Sequence, residues 1–194
     1  MQLVYDNSTA FIADAVRVAE HYKFQGWFID YEDEYPPDTS PNKVAKLQRF
    51  LNDLGAALHA KGMQLTICVA SWSGLISNYT ALASTAADEL QLMSTYAESA
   101  PEAFGPTIDR YFAAVRQGDQ GSLRKAGVGV GIYYDGHGYK KEWNATSARA
   151  IVEYAAKKGG RGIDVFRLAD EGSEVWPREE FWWDVLHDFV TGKI

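Results

Sequence analysis

The sequence contains a single cysteine, no run of 18 apolar residues and no excess of positive charge. One cysteine excludes an intrachain disulfide and a cysteine-based zinc site, and its apolar neighbours predict that Cys68 is buried. Without a long apolar run or a signal peptide, nothing in the sequence is expected to span a membrane. Because the net charge is -7 and the pI is about 5.1, we expect no nucleic-acid partner.

The composition is that of a globular protein rich in aromatic rings. Its 194 residues are 46% hydrophobic and 23% charged, which suffices for one domain with a sizeable core, and no linker or internal repeat divides it. Aromatic residues suit a carbohydrate site because rings stack on sugar faces, but core packing explains them as well. Three N-x-S/T sequons, at Asn7, Asn78 and Asn144, permit a secretory route without demonstrating one.

The most informative stretch is FQGWFIDYEDEYPP, residues 24–37. Residues 26–31 include strong β-formers, and the two prolines after the acidic run end the element. Since side chains alternate between the two faces of a strand, Phe28, Asp30 and Glu32 should point to the same side. Two carboxylates that converge at the carboxyl end of a strand occupy the place where α/β proteins hold their ligands.

An acidic run after a strand is more often a solvated loop, and Asp33, Glu34 and Asp38 fit that interpretation. Asp30 differs because the strand is apolar on both sides of it. Burying a carboxylate in such a strand costs free energy unless the group has a partner or a chemical role. We therefore expect Asp30 and Glu32 to be functional.

Helical and extended patterns alternate along the rest of the chain, which predicts a parallel sheet wrapped by helices. The predicted strands are 26–31, 63–70, 89–95, 127–134 and 162–168, and residues 3–5 are a candidate for a sixth. The predicted helices are 11–22, 44–58, 79–86, 101–117, 145–158 and 178–190.

The first predicted strand resembles the fourth strand of the family 18 glycoside hydrolases, which are chitinase-like barrels. That family's pattern D-G-x-D-x-D-x-E, often followed by Tyr-Pro, corresponds here to QGWFIDYE at 25–32 and to Tyr35-Pro36. Residues 63–70, 91–96 and 130–134 look like its fifth, sixth and seventh strands. The resemblance implies a (β/α) TIM-barrel-type fold in which this chain, as one domain, supplies about strands four to eight.

Two aspartates of the family 18 pattern are replaced, by Gln25 and Phe28. The pattern G-W-apolar-apolar-[N/D]-x-E at 26–32 is also similar to family 85, the endo-β-N-acetylglucosaminidases. An apolar residue at the position of Phe28 is compatible with catalysis in that family. The replacement therefore weakens the chitinase interpretation more than it weakens glycosidase chemistry.

The length of the chain is the second departure from a complete barrel, which needs about 250 residues. The first two or three strands of such a barrel are not in this sequence. A sheet without them has unpaired edges and an exposed interior. We expect a missing segment or another chain to complete the barrel.

The resemblance implies hydrolysis of β-linked N-acetylglucosamine, in chitin or in N-glycan cores. In the resembled families the 2-acetamido oxygen of the substrate attacks the anomeric carbon. Glu32 would be the general acid and then the general base, and Asp30 would orient the acetamido group and stabilise the oxazolinium charge. The implied partner is a glycan containing N-acetylglucosamine, with no cofactor and no metal, and the resemblance favours a secretory or extracellular location.

Aromatic residues at the carboxyl ends of the later strands are candidates for sugar contacts, each with a structural alternative. Trp72 could stack on a sugar or be an ordinary aromatic residue at the rim. Tyr96 could hydrogen-bond the acetamido group or belong to the core. Tyr134 and Asp135 could bind a sugar hydroxyl, although an aspartate that forms a turn explains Asp135 slightly better.

Two more residues enter the predicted site through the resemblance alone. Met93 lies in the segment that looks like the M-x-Y motif of the sixth strand. Phe166 takes the place of the eighth-strand tryptophan that forms the floor of the sugar subsite.

Two other functions stay open on the sequence. A non-catalytic carbohydrate-binding relative would bind the sugar without turning it over. An enzyme that holds Mg²⁺ or Ca²⁺ on Asp30, Glu32 and Asp33 would lose its function on chelation.

Overall fold

The computed structural model describes residues 4, 7–32, 41–72, 74–95, 100–131, 144–166 and 181–194. Its helices are α1 (Ser8–Tyr22), α2 (Pro41–His59), α3 (Tyr79–Ala83), α4 (Pro101–Gly118), α5 (Ala145–Lys157) and α6 (Phe181–Val190). Its strands are β1 (Gly26–Ile29), β2 (Gln64–Val69), β3 (Glu89–Leu92), β4 (Ala126–Gly131) and β5 (Gly162–Phe166).

The five strands form one sheet in the order β1-β2-β3-β4-β5. The pairs β1–β2 and β4–β5 are parallel, and helical segments lie between successive strands. The predicted parallel α/β architecture is therefore confirmed. The strand order follows the sequence order, as it does in barrel-type α/β folds.

Three predicted strands and one predicted helix are shorter in the structure. β2 spans Gln64–Val69 instead of 63–70, and α3 ends at Ala83 instead of residue 86. β1 ends at Ile29 instead of residue 31, and β3 ends at Leu92 instead of residue 95. Met93–Thr95 forms a 3₁₀ turn, in which the Thr95 hydroxyl donates to the carbonyl oxygens of Leu92 and Gly129. Residues 132–134, 167–168 and 178–180 lie outside the described residues, and of residues 3–5 only Val4 is described, with helical backbone.

The chain divides into two compact units. The first consists of Met1–Leu90 and Ala114–Lys125, and the second of Gln91–Ala113 and Ala126–Ile194. β1, β2 and α1–α3 belong to the first unit, and β4, β5, α5 and α6 belong to the second.

The core of the first unit forms where α2 packs on β2. The apolar residues of α2 recur at a spacing of three or four, so that they occupy one side of the helix. The buried residues of α2 are Leu47, Phe50, Leu51, Leu54 and Leu58, and those of β2 are Leu65, Ile67, Cys68 and Val69. The predicted burial of Cys68 is therefore confirmed. α2 ends before Gly62, whose φ of 70° is a left-handed conformation that favours glycine.

In the second unit the aromatic residues of α4 are buried, and α5 packs against α6. α5 begins at a capping box, in which the side chain of Asn144 accepts from the backbone of Ser147 and the Ser147 hydroxyl accepts from the backbone of Asn144. Asn78 likewise caps α3 through Ala81. Two of the three sequons therefore have a structural explanation as helix caps.

Candidate active site

The strand that leads to the two carboxylates is anchored on both sides. The indole N–H of Trp27 donates to the carbonyl oxygen of Ala15 in α1 at 3.0 Å. On the β2 side, a Cβ added to Gly26 would lie 2.0 Å from the carbonyl oxygen of Gln64. Only glycine allows this approach, so β1 has a fixed position between α1 and β2.

Exposure alternates along residues 27–32, in agreement with the expected two faces. Trp27, Ile29 and Tyr31 are half-buried, whereas Phe28, Asp30 and Glu32 are exposed. Phe28 is 48% exposed, so the face that carries the carboxylates also presents an apolar ring. Asp30 and Glu32 follow β1 directly, at the carboxyl end of the strand.

Trp72 meets Glu32 in the structure. Its indole N–H donates to Oε2 of Glu32 at 3.0 Å, across 40 residues of sequence. The ring is 54% exposed, so much of its surface is open to solvent. Glu32 and Trp72 follow two successive predicted strands. They are in direct contact through the indole nitrogen.

The environment of Asp30 disfavours its charge. Although Asp30 is exposed at the surface, neighbouring protein atoms remove part of its hydration, and this desolvation, followed by the negative charge of Glu32, raises the pKa of Asp30 above its ordinary value. Both causes act against an ionised carboxylate, because desolvation and a neighbouring anion each make deprotonation less favourable. Asp30 therefore takes up a proton more readily than an isolated aspartate.

The other predicted site residues are only partly described. Met93 is buried, 5% exposed, in the 3₁₀ turn that follows β3. Phe166 is the last residue of β5, and its side chain is not among the described parts of the structure. Tyr96, Tyr134 and Asp135 lie outside the described residues. Their contacts with a sugar stay predictions.

The Trp72–Glu32 contact is the part of the site that sequence reasoning missed. For Trp72 the sequence left open a ring that stacks on a sugar or an ordinary aromatic residue at the rim, and neither alternative includes the bond from its nitrogen to Glu32. The signal that could have placed Trp72 near Glu32 is its position just after the strand that neighbours β1. The direction of an indole N–H has no counterpart in a sequence pattern.

Within the described ranges, no group of three His, Cys, Asp or Glu side chains is arranged to hold a metal ion. The ring of His59 contacts Asp88 at 2.8 Å, and the same carboxylate accepts from the backbone N–H of Leu65 at 2.8 Å. Separately, none of the helices in those ranges has the length and apolar character needed to cross a bilayer.

The amino-terminal part of the sequence matches the family model for glycosyl hydrolase family 85 over residues 2–80. The match includes β1, both carboxylates and Trp72. The pattern at 26–32 had already indicated a similarity to family 85. Among curated proteins, none matches this sequence.

Solved structures show the fold over nearly the whole chain. A chitinase from Chromobacterium violaceum superposes with a TM-score of 0.70 at 18% identity, covering 96% of this chain and 73% of that one. The spore cortex-lytic enzyme SleL of Bacillus megaterium gives 0.66 at 16% identity, covering 96% and 53%. A Group IV chitinase from Ostrinia furnacalis gives 0.66 at 15%, covering 91% and 72%. The fold is thus the incomplete TIM-barrel type that the sequence predicted.

Proposed function

We propose that the chain is a glycoside hydrolase that cleaves β-linked N-acetylglucosamine, with Glu32 as acid and base and Asp30 as the group that assists the acetamido nucleophile. The observation that carries the proposal is the pair of carboxylates at the end of β1, one bound by Trp72 and the other with a raised pKa. The family 85 match over this segment and the fold of chitinases support it.

Two carboxylates at positions i and i+2 after one strand differ from the two opposed carboxylates of ordinary retaining enzymes, where one carboxylate is the nucleophile. They suit a reaction in which the substrate supplies its own nucleophile. Glu32 gives its proton to the glycosidic oxygen as the bond from that oxygen to C1 breaks. The acetamido carbonyl oxygen forms the new bond to C1, which gives a cyclic oxazolinium ion.

In the second half of the reaction Glu32 removes a proton from water, and the water oxygen attacks C1 while the bond from C1 to the acetamido oxygen breaks. The product keeps the configuration of the substrate because C1 is inverted twice. Asp30 accepts a hydrogen bond from the acetamido N–H and stabilises the positive charge of the ring. Its raised pKa favours movement of the N–H proton toward Asp30 as the oxazolinium charge develops, and the proton returns to the nitrogen when water attacks C1.

Trp72 offers the sugar an exposed ring, and Phe28 lies exposed on the same face of the strand as Asp30 and Glu32. We place Tyr96, Met93, Tyr134, Asp135 and Phe166 around the same substrate as its further contacts, as the resemblance implies. The substrate is chitin or the chitobiose core of an N-glycan.

The test is incubation of the purified protein with chitooligosaccharides and with a high-mannose glycopeptide, with the products identified by mass spectrometry. We expect hydrolysis by the wild type and a loss of at least about 100-fold in Glu32→Gln, the scale of general acid catalysis. Glu153→Gln, an exposed residue on α5, is the matched control and should keep full activity. Full activity in Glu32→Gln would contradict the proposed role.

The exposed apolar rings also support a second candidate, a protein that binds N-acetylglucosamine oligosaccharides without cleaving them. Calorimetric titration of the same oligosaccharides distinguishes the two. Binding without products, unchanged in Glu32→Gln, identifies the binding protein. Activity that disappears with a chelator would instead identify a metal-dependent enzyme built on Asp30, Glu32 and Asp33.

A further inference from the structure

Trp72 contacts the proposed acid through the only polar atom of its side chain. The indole N–H is a donor and cannot accept a proton, so it holds an oxygen of Glu32 without competing for the proton that Glu32 transfers. The bond uses Oε2 at 3.0 Å.

The pairing of β1 with β2 brings the two side chains close together. Ile29 of β1 pairs with Ile67 of β2. Extending that register places Glu32 beside Ala70, two residues before Trp72. Residues 71 and 72 form a turn after β2, and from this turn the indole of Trp72 reaches Glu32 at 3.0 Å.

Glu32 needs such a contact because its side chain is exposed and has three rotatable bonds. A carboxyl that samples many rotamers spends little time in line with a glycosidic oxygen, and proton transfer requires hydrogen-bond distance. The rigid indole has two side-chain torsions. The indole of Trp72 therefore restricts the rotamers of the Glu32 carboxyl and loses little conformational entropy of its own.

We propose that Trp72 is a positioning residue for general acid catalysis: its indole N–H fixes the carboxyl of Glu32 so that the protein cleaves glycosides whose leaving group is a sugar hydroxyl. This inference rests on the proposed function. A sugar alkoxide is a poor leaving group and must receive a proton as the bond breaks. A nitrophenolate leaves without one, so the contribution of Trp72 should depend on the leaving group.

The experiment compares Trp72→Phe, which keeps an aromatic ring and removes the N–H, with the wild type. Two substrates are used: the oligosaccharide that the wild type cleaves, and the 4-nitrophenyl glycoside of the same donor sugar. For the oligosaccharide we expect kcat to fall about tenfold or more with KM within about twofold. For the nitrophenyl glycoside we expect a clearly smaller loss of kcat/KM, because this ratio reports the step in which the glycosidic bond breaks and not the later step in which Glu32 acts as a base. Trp183→Phe, at an exposed position of α6, is the matched control and should change the kinetics of neither substrate.

Equal losses on both substrates, or a rise of KM alone, would overturn the positioning role and leave Trp72 as a stacking or structural residue. No change in either substrate would overturn it as well. The leaving-group dependence separates positioning from folding, because a variant that is partly unfolded loses activity on both substrates in the same proportion.

A second measurement needs no turnover. The indole N–H resonance of Trp72, assigned by its loss in Trp72→Phe, should move upfield in Glu32→Leu, in which the acceptor is removed. An unmoved resonance would overturn the inference even if the protein is an active hydrolase. If the wild type hydrolyses none of the substrates, the proposed function fails and the positioning role with it, whatever the resonance shows.

Discussion

The indole nitrogen of Trp72 and a carboxylate oxygen of Glu32 lie 3.0 Å apart, although the two residues are 40 positions apart in the chain. Each follows a strand, and the parallel pairing of β1 with β2 brings the two strand ends together. The contact joins the proposed acid to the loop after the neighbouring strand. The candidate site is thus assembled by sheet pairing, and its chemistry depends on the side chains at the carboxyl edge.

Replacing Asp30 with Asn should stabilise the protein at neutral pH. A carboxyl whose pKa is raised by folding destabilises the folded state when it is ionised. The wild type therefore loses stability as the pH rises from the ordinary value of 3.8 through the raised value, and Asp30→Asn does not. Urea unfolding should show the variant to be more stable at pH 7, with a smaller difference below pH 3.8.

Asp53→Asn, an exposed change on α2, is the control and should show no such pH-dependent gain. If Asp30→Asn is instead less stable than the wild type at pH 7, the charge of Asp30 is better solvated or better paired than the structure indicates.

Two glycines of α4 should respond in opposite directions to alanine. At Gly118 an added Cβ would lie 2.2 Å from the carbonyl oxygen of Thr80 and 2.8 Å from the Cβ of Ala83, so that α3 must move. We expect Gly118→Ala to lower the free energy of unfolding by about 1–3 kcal/mol. At Gly105 the nearest atom is the hydroxyl of Tyr154 at 3.5 Å, an ordinary contact.

Gly105→Ala should therefore raise the free energy of unfolding by up to about 1 kcal/mol, because alanine has a higher helix propensity than glycine. Denaturant unfolding of both variants tests the pair. The same sign in both would show that packing against α3 does not set the response at Gly118.

Lys125 should contribute to stability through its buried hydrogen bonds. The side chain is 8% exposed, and its ammonium donates to the carbonyl oxygens of Ala83 at 3.0 Å and Thr85 at 2.7 Å. Replacing it with Met keeps the apolar stem and leaves these oxygens without their donor. We expect Lys125→Met to lower the free energy of unfolding by about 1–3 kcal/mol.

Lys157→Met, at an exposed position of α5, is the matched control and should fall within about 0.5 kcal/mol of the wild type. If the two variants are equally stable, the carbonyl oxygens at the end of α3 find water when the ammonium is removed.

Asp188 on α6 should stabilise the protein above acidic pH. It accepts from Arg149 on α5 at 2.6 Å and from Lys193 at 3.0 Å, and these bonds lower its pKa to about 2. A carboxyl whose pKa is lowered by folding adds stability above its unfolded pKa of 3.8, and this stability is lost as the pH falls through about 2.

Asp188→Asn should accordingly be less stable than the wild type at pH 7, and the difference should shrink toward pH 2 and in high salt. Thermal unfolding across this pH range measures it, with Asp184→Asn on the same helix as the control. A difference that is constant from pH 7 to pH 2 would show that the charge of Asp188 is not responsible.

Most of the fold could be predicted because apolar periodicity reports burial directly. α2 carries apolar residues at helical spacing and ends before Gly62, and the structure places that helix at Pro41–His59. The strand ends were less predictable. Thr95 bonds to Gly129, far along the chain, and the segment that reads as a strand through residue 95 forms a turn after Leu92. A pattern of local preference cannot contain such a contact.

In the candidate site, too, some features follow from the local sequence and others from contacts between distant residues. The sequence by itself determined that Asp30 and Glu32 end an apolar strand on one face, because alternation is a local property of extended chain. Only the tertiary structure decided that the nitrogen of Trp72 binds Glu32 and that the pKa of Asp30 rises. Both depend on distances between groups and on lost solvation, which arise when β1 and β2 pair and which no stretch of the chain specifies alone.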